Sequence, residues 1–221
     1  MKPYYFLIRQ DLRLALRFKA DWINSWLFYI LVVSLFPLVL PVDPSLLHKI
    51  GPGLIWIAAV LSILLSMNGF LRPDFREGSL AQLVLSPLSL TGLMLAKMLA
   101  QWLISFIPLL CITPVLAFSL QLSGQETLIL LCTLALGTPT LSFLSAVAAA
   151  LTVNIRNHTS LLSLMILPLG VPVLIFATGA VMDVAAGVSS KGALAWLGAL
   201  LAITLSLTPF AVSASVRWLH D

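Results

Sequence analysis

Charged side chains, which could form ion pairs or contact a charged partner, are concentrated in one stretch of the sequence, residues 72–97. The chain has 12 basic and 8 acidic residues, and a quarter of these twenty lie in the stretch. They are Arg72, Asp74, Arg76, Glu77 and Lys97. On both sides the sequence returns at once to apolar runs long enough to cross a bilayer. Residues 72–97 are therefore predicted to form a structured loop at a membrane face.

The histidines and cysteines form no pattern typical of a metal site. His48, His158 and His220 are far apart in the sequence, with no pair at ligand spacing. His48 could act as an axial haem ligand, but lone histidines in loops are usually solvated polar residues. Cys111 and Cys132 fall inside predicted spans without a CxxC motif, which favours small apolar residues packed between helices. We therefore predict no metal and no directly bound cofactor.

The sequence also lacks the features of an enzyme or of an ion-coupled pump. It contains no GxxxxGK[ST] motif, so the P-loop route of ATP hydrolysis is excluded for this chain. The predicted spans hold essentially no ionisable side chains, whereas proton-coupled transporters and intramembrane hydrolases place such groups at membrane depth. If the protein does work that needs energy, a separate partner must supply it.

The composition is that of a polytopic integral membrane protein. Of the 221 residues, 60% are hydrophobic and 9% are charged, and the mean hydropathy is +1.08. A transmembrane helix needs roughly 20 mainly apolar residues, so the sequence has room for about six. We predict an all-α fold in a single transmembrane domain, residues 1–221. The spans are predicted at residues 22–40, 54–71, 98–120, 128–153, 161–182 and 194–216.

The basic residues predict the orientation of these spans. With both termini in the cytoplasm, ten Lys and Arg residues lie in inner segments and two, Lys49 and Lys191, lie in outer loops. Short cytoplasmic loops carry an excess of Lys and Arg, so this bias favours an N-in and C-in topology. The loop at residues 72–97 is then cytoplasmic. Because the basic residues follow the membrane side, the net charge of +4 does not indicate nucleic-acid binding.

The segment before the first span, residues 1–21, has a basic face. On a helical wheel Arg9, Arg13 and Arg17 fall on one side, and aromatic and aliphatic residues cover the other. This pattern predicts an amphipathic helix in the membrane interface, with the arginines toward anionic headgroups. A simple cluster of topogenic charge explains the arginines equally well.

A short amphipathic helix, Ser79 to Leu85, is predicted inside the cytoplasmic loop. Gly78 frees the backbone at its start, and Pro87 prevents its continuation. Apolar and polar residues alternate at helical spacing: Leu80, Leu83 and Val84 against Ser79, Gln82 and Ser86. Such a helix is a small apolar knob that a soluble partner could grip. The alternative is a surface loop with no partner.

Four positions inside the later spans are predicted to break their helices. They are Gly137, Pro139, Pro168 and Pro172. A proline removes one helix hydrogen bond, and within a bilayer the freed carbonyl must find another donor. We expect spans three to six, each of which contains proline, to repack while the protein works.

The cytoplasmic loop resembles the signature of ABC-2-type export permeases. The resemblance lies in FREGSLAQL at residues 75–83, SPLS at 86–89 and Lys97 at the head of the next span. Gln82 stands where many members of that family have Glu, which removes one ion pair with the ATPase and leaves the helix intact. The resemblance implies that the loop is the ATPase-coupling element. Its coupling residues are then Arg76, Glu77, Gly78, Ser79, Leu80, Gln82, Leu83, Pro87 and Lys97.

Strings elsewhere are similar to the haem exporter protein B (CcmB) family, the membrane B subunits of the bacterial cytochrome c maturation ABC transporter. The strings are FPL at 36–38, PGLIW at 52–56, LGTPTL at 136–141, and LPL at 167–169 continuing to LIFAT at 174–178. They cover almost the whole chain in order. The resemblance implies an ABC-2-type exporter fold of six spans in the bacterial inner membrane.

The partners implied by this resemblance are a cytoplasmic ATPase subunit that binds ATP, a membrane haem-handling subunit, a small membrane subunit and a periplasmic haem chaperone. A second permease half, either a copy of this chain or a different protein, is also implied. Haem is then the transported or partner-bound ligand, and ATP hydrolysis either exports haem or releases the loaded chaperone. Alternatives are export of another amphiphile, such as a lipid-linked glycan or a drug, and a non-transporting scaffold for haem-loading proteins.

Overall fold

The computed structural model describes residues 20–39, 44–67, 70–154 and 158–218, and within these ranges it consists of α-helices and turns, without strands. The helices are α1 (Ala20–Val39), α2 (Pro44–Met67), α3 (Arg72–Arg76), α4 (Ser79–Val84), α5 (Leu90–Ser119), α6 (Gly124–Thr152), α7 (His158–Ala185) and α8 (Lys191–Trp218). The predicted all-α class is confirmed for this part of the chain.

Five segments of the described chain are long and apolar enough to cross a membrane, and they fall on α2, α5, α6, α7 and α8. A spanning helix needs roughly 20 mainly apolar residues. The apolar part of α1, Ile23–Leu38, is shorter than the other five. The described residues therefore provide five spans by length and composition, whereas the sequence predicted six.

α2 begins at Pro44, well before the span predicted at residues 54–71. His48, which the sequence placed in an outer loop, therefore lies on a helix. Gly51, within α2, packs closely on the end of α5, where an added Cβ would lie 3.3 Å from Leu120 Cβ. The lack of a side chain permits this close helix contact.

None of the four predicted helix breaks interrupts a helix. α6 continues past Gly137 and Pro139, and α7 continues past Pro168 and Pro172. Proline is tolerated inside a membrane helix where neighbouring helices enclose the gap, and residues 137–143 of α6 are all buried. The part these positions play in any repacking stays a prediction.

α6 lies at the centre of the described bundle, in contact with α2, α5, α7 and α8. Two indole groups join it to its neighbours. Trp56 Nε1 of α2 donates to Thr133 Oγ1 at 3.3 Å, and Trp102 Nε1 of α5 donates to Thr138 Oγ1 at 3.1 Å. Lipid tails are as apolar as leucine, so helices in a membrane associate through close packing and hydrogen bonds of this kind.

The cysteines are not packed between helices, and that interpretation of the sequence is wrong. Cys111 and Cys132 are both exposed, on α5 and α6 respectively. The reason is that both helices are apolar on every side, so the sequence carries no amphipathic pattern from which the buried face could be read.

Two charged residues that the sequence placed outside the spans are buried in helices. Lys97 lies within α5 and is 8% exposed, and Glu126 lies in the first turn of α6 and is 3% exposed. A buried charge costs much free energy unless it is paired. Each has a partner: Asp74 for Lys97 and His48 for Glu126.

Candidate coupling site

Residues 70–89 connect α2 to α5 through the two short helices α3 and α4. Asp74 lies in the first turn of α3 and Arg76 in its last, where each charge complements the helix dipole. Gly78 follows in the left-handed region with φ 72°. A Cβ on Gly78 would meet no atom within 4 Å, so the backbone conformation, and not lack of space, requires glycine here.

The apolar face of α4 is turned toward its own chain. Leu80 is fully buried, and Leu83 and Val84 are half-buried against the core. Through this face α4 packs on α5 and α8. The apolar face predicted to meet a partner therefore points into the bundle instead, where burial stabilises it. Leu80 cannot contact a partner unless α4 detaches.

The outward side of the loop is mainly polar, and we name it the coupling face. It consists of the exposed residues Arg76, Glu77, Gln82, Leu85 and Pro87. Leu85, the residue that ends α4, is 85% exposed and is the large apolar side chain of this set. Its exposure could not be read from the sequence, since adjacent leucines cannot be assigned to a face when a helix is only six residues long.

Asp74 joins three helices, and we name this contact the Asp74 junction. Its Oδ2 lies 2.9 Å from Lys97 Nζ of α5. Ser79 Oγ, at the start of α4, donates to Asp74 Oδ1 at 2.9 Å and contacts the Asp74 carbonyl oxygen at 3.2 Å. Sequence reasoning selected Ser79 and Lys97 but missed Asp74. A lysine at the edge of an apolar run was the available signal, because such a lysine needs a nearby acid.

The opposite end of the bundle has its own polar contact. His48 Nε2 of α2 lies 2.9 Å from Glu126 Oε2 of α6. Glu126 also accepts from the Ser123 backbone N–H at 2.6 Å, and Ser123 Oγ accepts from the Glu126 N–H at 3.3 Å, which completes a capping box. The pair joins α2 to α6. One ring nitrogen of His48 is thereby engaged, which leaves the other as the only nitrogen that could meet a ligand.

The structure does not gather the other selected residues at the coupling site. Gly137 and Pro139 lie within α6, and Pro168 and Pro172 within α7. The predicted interfacial helix with its three arginines, Arg9, Arg13 and Arg17, lies outside the described residues. Within the described ranges no three His, Cys, Asp or Glu side chains are close enough together to hold a metal ion.

Comparison with known proteins gives one consistent result. A family model described as CcmB protein matches residues 2–218. Heme exporter protein B of Pseudomonas aeruginosa is 44% identical over 214 residues, which is 97% of this chain and 96% of that protein. Heme exporter protein B of Haemophilus influenzae is 43% identical over 211 residues, 96% of each chain. The protein of the same name from Escherichia coli K12 is 44% identical over 214 residues, 97% of each chain.

These matches extend through α1 to α8 and include the coupling site. The resemblance predicted from the sequence strings is therefore confirmed, and the chain belongs to the CcmB family.

Proposed function

We propose that this chain is the membrane permease subunit of an ABC transporter that exports haem for the maturation of c-type cytochromes. The observation that carries the proposal is the likeness to proteins named heme exporter protein B, at 44% identity over 97% of the chain. Five apolar helices of spanning length agree with a permease. A second candidate function of the same transporter is the ATP-driven release of a haem-loaded chaperone.

The sixth span of the proposed permease is α1. Its 20 residues, Ala20–Val39, measure about 30 Å at 1.5 Å per residue, which matches the hydrocarbon thickness of a bilayer. Polar contacts hold α1 to the bundle: Tyr29 OH and Thr113 Oγ1 of α5 are 2.9 Å apart, and Ser62 Oγ of α2 donates to the Ser25 carbonyl at 2.8 Å. Six spans put both termini and the coupling face on one side of the inner membrane, and the excess of Lys and Arg on that side favours the cytoplasm.

A separate ATPase subunit docks on the coupling face in this proposal. Leu85 inserts into a pocket of the ATPase, and Arg76, Glu77 and Gln82 form the polar rim around it. An apolar anchor surrounded by polar side chains is the usual anatomy of a protein interface. Pro87 follows Leu85 and restricts the backbone on the far side of the anchor.

ATP-driven closure of the ATPase then moves α4, and the buried side of α4 passes the movement to the spans. Leu80 is packed in the core, and α4 contacts α5 and α8. Thr91 Oγ1 of α5 and Ser213 Oγ of α8 are 3.2 Å apart, so these two helices are also joined to each other. Packed helices switch between discrete arrangements, and the proline-containing helices α5 to α8 are where repacking takes place.

Haem is held chiefly by other subunits in this proposal. One ring nitrogen of His48 is engaged by Glu126. A membrane haem-handling subunit, a small membrane subunit and a periplasmic haem chaperone are the further components of the proposed transporter. A second permease half, for which a further copy of this chain is the simplest candidate, pairs with this one.

The proposal is tested in a strain that lacks its own CcmB-family subunit and makes a reporter c-type cytochrome. Expression of this chain should restore cytochrome with covalently attached haem, detected by haem staining. Purification in mild detergent should recover an ATPase with the chain. A strain expressing the chain together with a hydrolysis-deficient ATPase is the control and should stay negative. Maturation that persists without this chain, or with the inactive ATPase, would overturn the proposal.

A further inference from the structure

The Asp74 carboxylate uses its two oxygens for two different helices. Oδ2 is paired with Lys97 Nζ of α5 at 2.9 Å, and Oδ1 accepts from Ser79 Oγ at the start of α4 at 2.9 Å. The residue itself belongs to α3. A single side chain thus connects the short helix that carries the coupling face to a membrane-spanning helix.

The burial of this junction makes the connection stiff. The Lys97 side chain is 9% exposed and that of Asp74 is 23% exposed. Ala96, Met98 and Met94, which precede and follow Lys97 on α5, are 3%, 1% and 0% exposed. The Lys97 ammonium is largely withdrawn from water while Asp74 remains partly exposed, so separating the pair would leave a buried cation without its carboxylate, which is costly. α5 cannot slide past α3 and α4 without meeting that cost.

We propose that Asp74 is a positioning residue that couples α4 to α5. Movement of the coupling face is then passed through Asp74 to the membrane-spanning helix α5. This inference rests on the proposed function, in which an ATPase moves α4. Packing of Leu80 against the core holds α4 to the bundle, but apolar contacts are not directional, so they do not fix the orientation of α4. The Asp74 junction adds a directional connection that fixes α4 relative to one helix.

The rival account is an ion pair that merely stabilises the fold, and two variants separate the accounts. Asp74→Asn removes the carboxylate charge and leaves the Lys97 ammonium without it. The double variant Asp74→Asn with Lys97→Met removes both charges and keeps side-chain volume, a change that buried ion pairs often tolerate in stability. A structural pair predicts that the double variant works normally, whereas a coupling residue predicts that it folds and fails to work.

The experiment measures three quantities for each variant in the complex with its ATPase: chain recovered from membranes, ATPase co-purified per chain, and mature c-type cytochrome per chain. For the double variant we expect recovery and co-purification near the unmodified level and a loss of cytochrome of roughly tenfold, within the usual range of coupling between sites. Asp74→Glu in the otherwise unmodified chain keeps both carboxylate oxygens and should retain most of the cytochrome output.

Matched controls make the same chemical changes at the other end of the bundle. Asp183→Asn, at the end of α7, and Lys191→Met, at the start of α8, should leave all three quantities unchanged. Normal cytochrome output from the double variant overturns the inference. Failure of both the single and the double variant to accumulate also overturns it, because the pair is then needed for folding.

Failure of this inference is distinguishable from failure of the proposed function. If Asp74 is only structural, the double variant matures cytochrome while removal of the whole chain abolishes maturation. If the proposed function is wrong, the unmodified chain itself recovers no ATPase and maturation does not depend on it.

Discussion

Trp56 of α2 lies directly against the backbone of Gly137 of α6. A Cβ built on Gly137 would overlap the indole ring of Trp56 and would lie 2.9 Å from Val173 Cγ1 of α7. Trp56 is fully buried, and its Nε1 donates to Thr133 Oγ1, one turn before Gly137 on the same helix. Three helices thus meet at a point where only glycine fits.

Gly137→Ala should therefore destabilise the protein even though alanine is the better helix former. Overpacking of a tight core costs about 1–3 kcal/mol, more than the roughly 1 kcal/mol that alanine gains over glycine in a helix. Gly179→Ala on α7 is the matched control, because no atom lies within 4 Å of its added Cβ. Thermal unfolding in detergent should show a lower midpoint for Gly137→Ala and an equal or higher one for Gly179→Ala. Equal midpoints for the two would contradict the packing described here.

Substitutions of Gly78 should separate backbone strain from side-chain bulk. Gly78→Ala and Gly78→Val force a residue with a Cβ into φ 72°, at a cost of about 1–2 kcal/mol, whereas Gly78→Asn tolerates that conformation better. Co-purification of the ATPase should fall with Ala and Val and be largely kept with Asn. Gly192→Ala, where a Cβ also meets open space but φ is not positive, is the control. A graded loss that follows side-chain size, with Asn worse than Ala, would argue against the strain account.

Leu85→Asp should abolish binding of the ATPase without loss of the folded chain. The side chain is 85% exposed, so the charge costs little in the isolated subunit, but it must be buried in the interface. The control is Val188→Asp, which introduces the same charge at a residue 58% exposed in the turn between α7 and α8. Leu80→Asp, at a fully buried site, should instead reduce the amount of chain recovered. Unchanged ATPase recovery with Leu85→Asp would remove Leu85 from the coupling face.

The hydrogen bond between His48 and Glu126 should be measurable as a coupling free energy. In a double-mutant cycle of His48→Ala and Glu126→Gln, the interaction should amount to about 1–3 kcal/mol, since a hydrogen bond to a charged group is lost. Ser213→Ala, which removes a contact to Thr91 near the start of α5, should be additive with His48→Ala within about 0.5 kcal/mol. An additive His48 and Glu126 pair would show that the contact contributes nothing to the stability of the bundle.

The coarse architecture was predictable because apolar runs of spanning length and the breakers Gly78 and Pro87 are local signals. The short helix after Gly78 was placed to within one residue of its observed end at Val84. Which face of that helix is buried was not predictable. Six residues carry too little periodicity, and the direction of Leu80 depends on the neighbouring α5 and on α8, which is distant in sequence.

The two contacts Asp74–Lys97 and His48–Glu126 were missed for a related reason. Asp74 and Lys97 are 23 positions apart, and His48 and Glu126 are 78 apart, so only the packed helices bring them together. Gly137 was misread, since a glycine that permits close helix contact and a glycine that breaks a helix look the same in sequence. At this position α6 continues, and Trp56 and Val173 occupy the space beside its backbone.

The central claim is that a separate ATPase drives this bundle through the coupling face. The most direct measurement places a photo-crosslinking amino acid at position 85 and, in a second chain, at position 188, in cells making the whole complex. The account predicts that position 85 crosslinks to the ATPase subunit and that position 188 does not. Crosslinks from position 85 to periplasmic proteins, with the ATPase captured from position 188 or from neither, would contradict the claim.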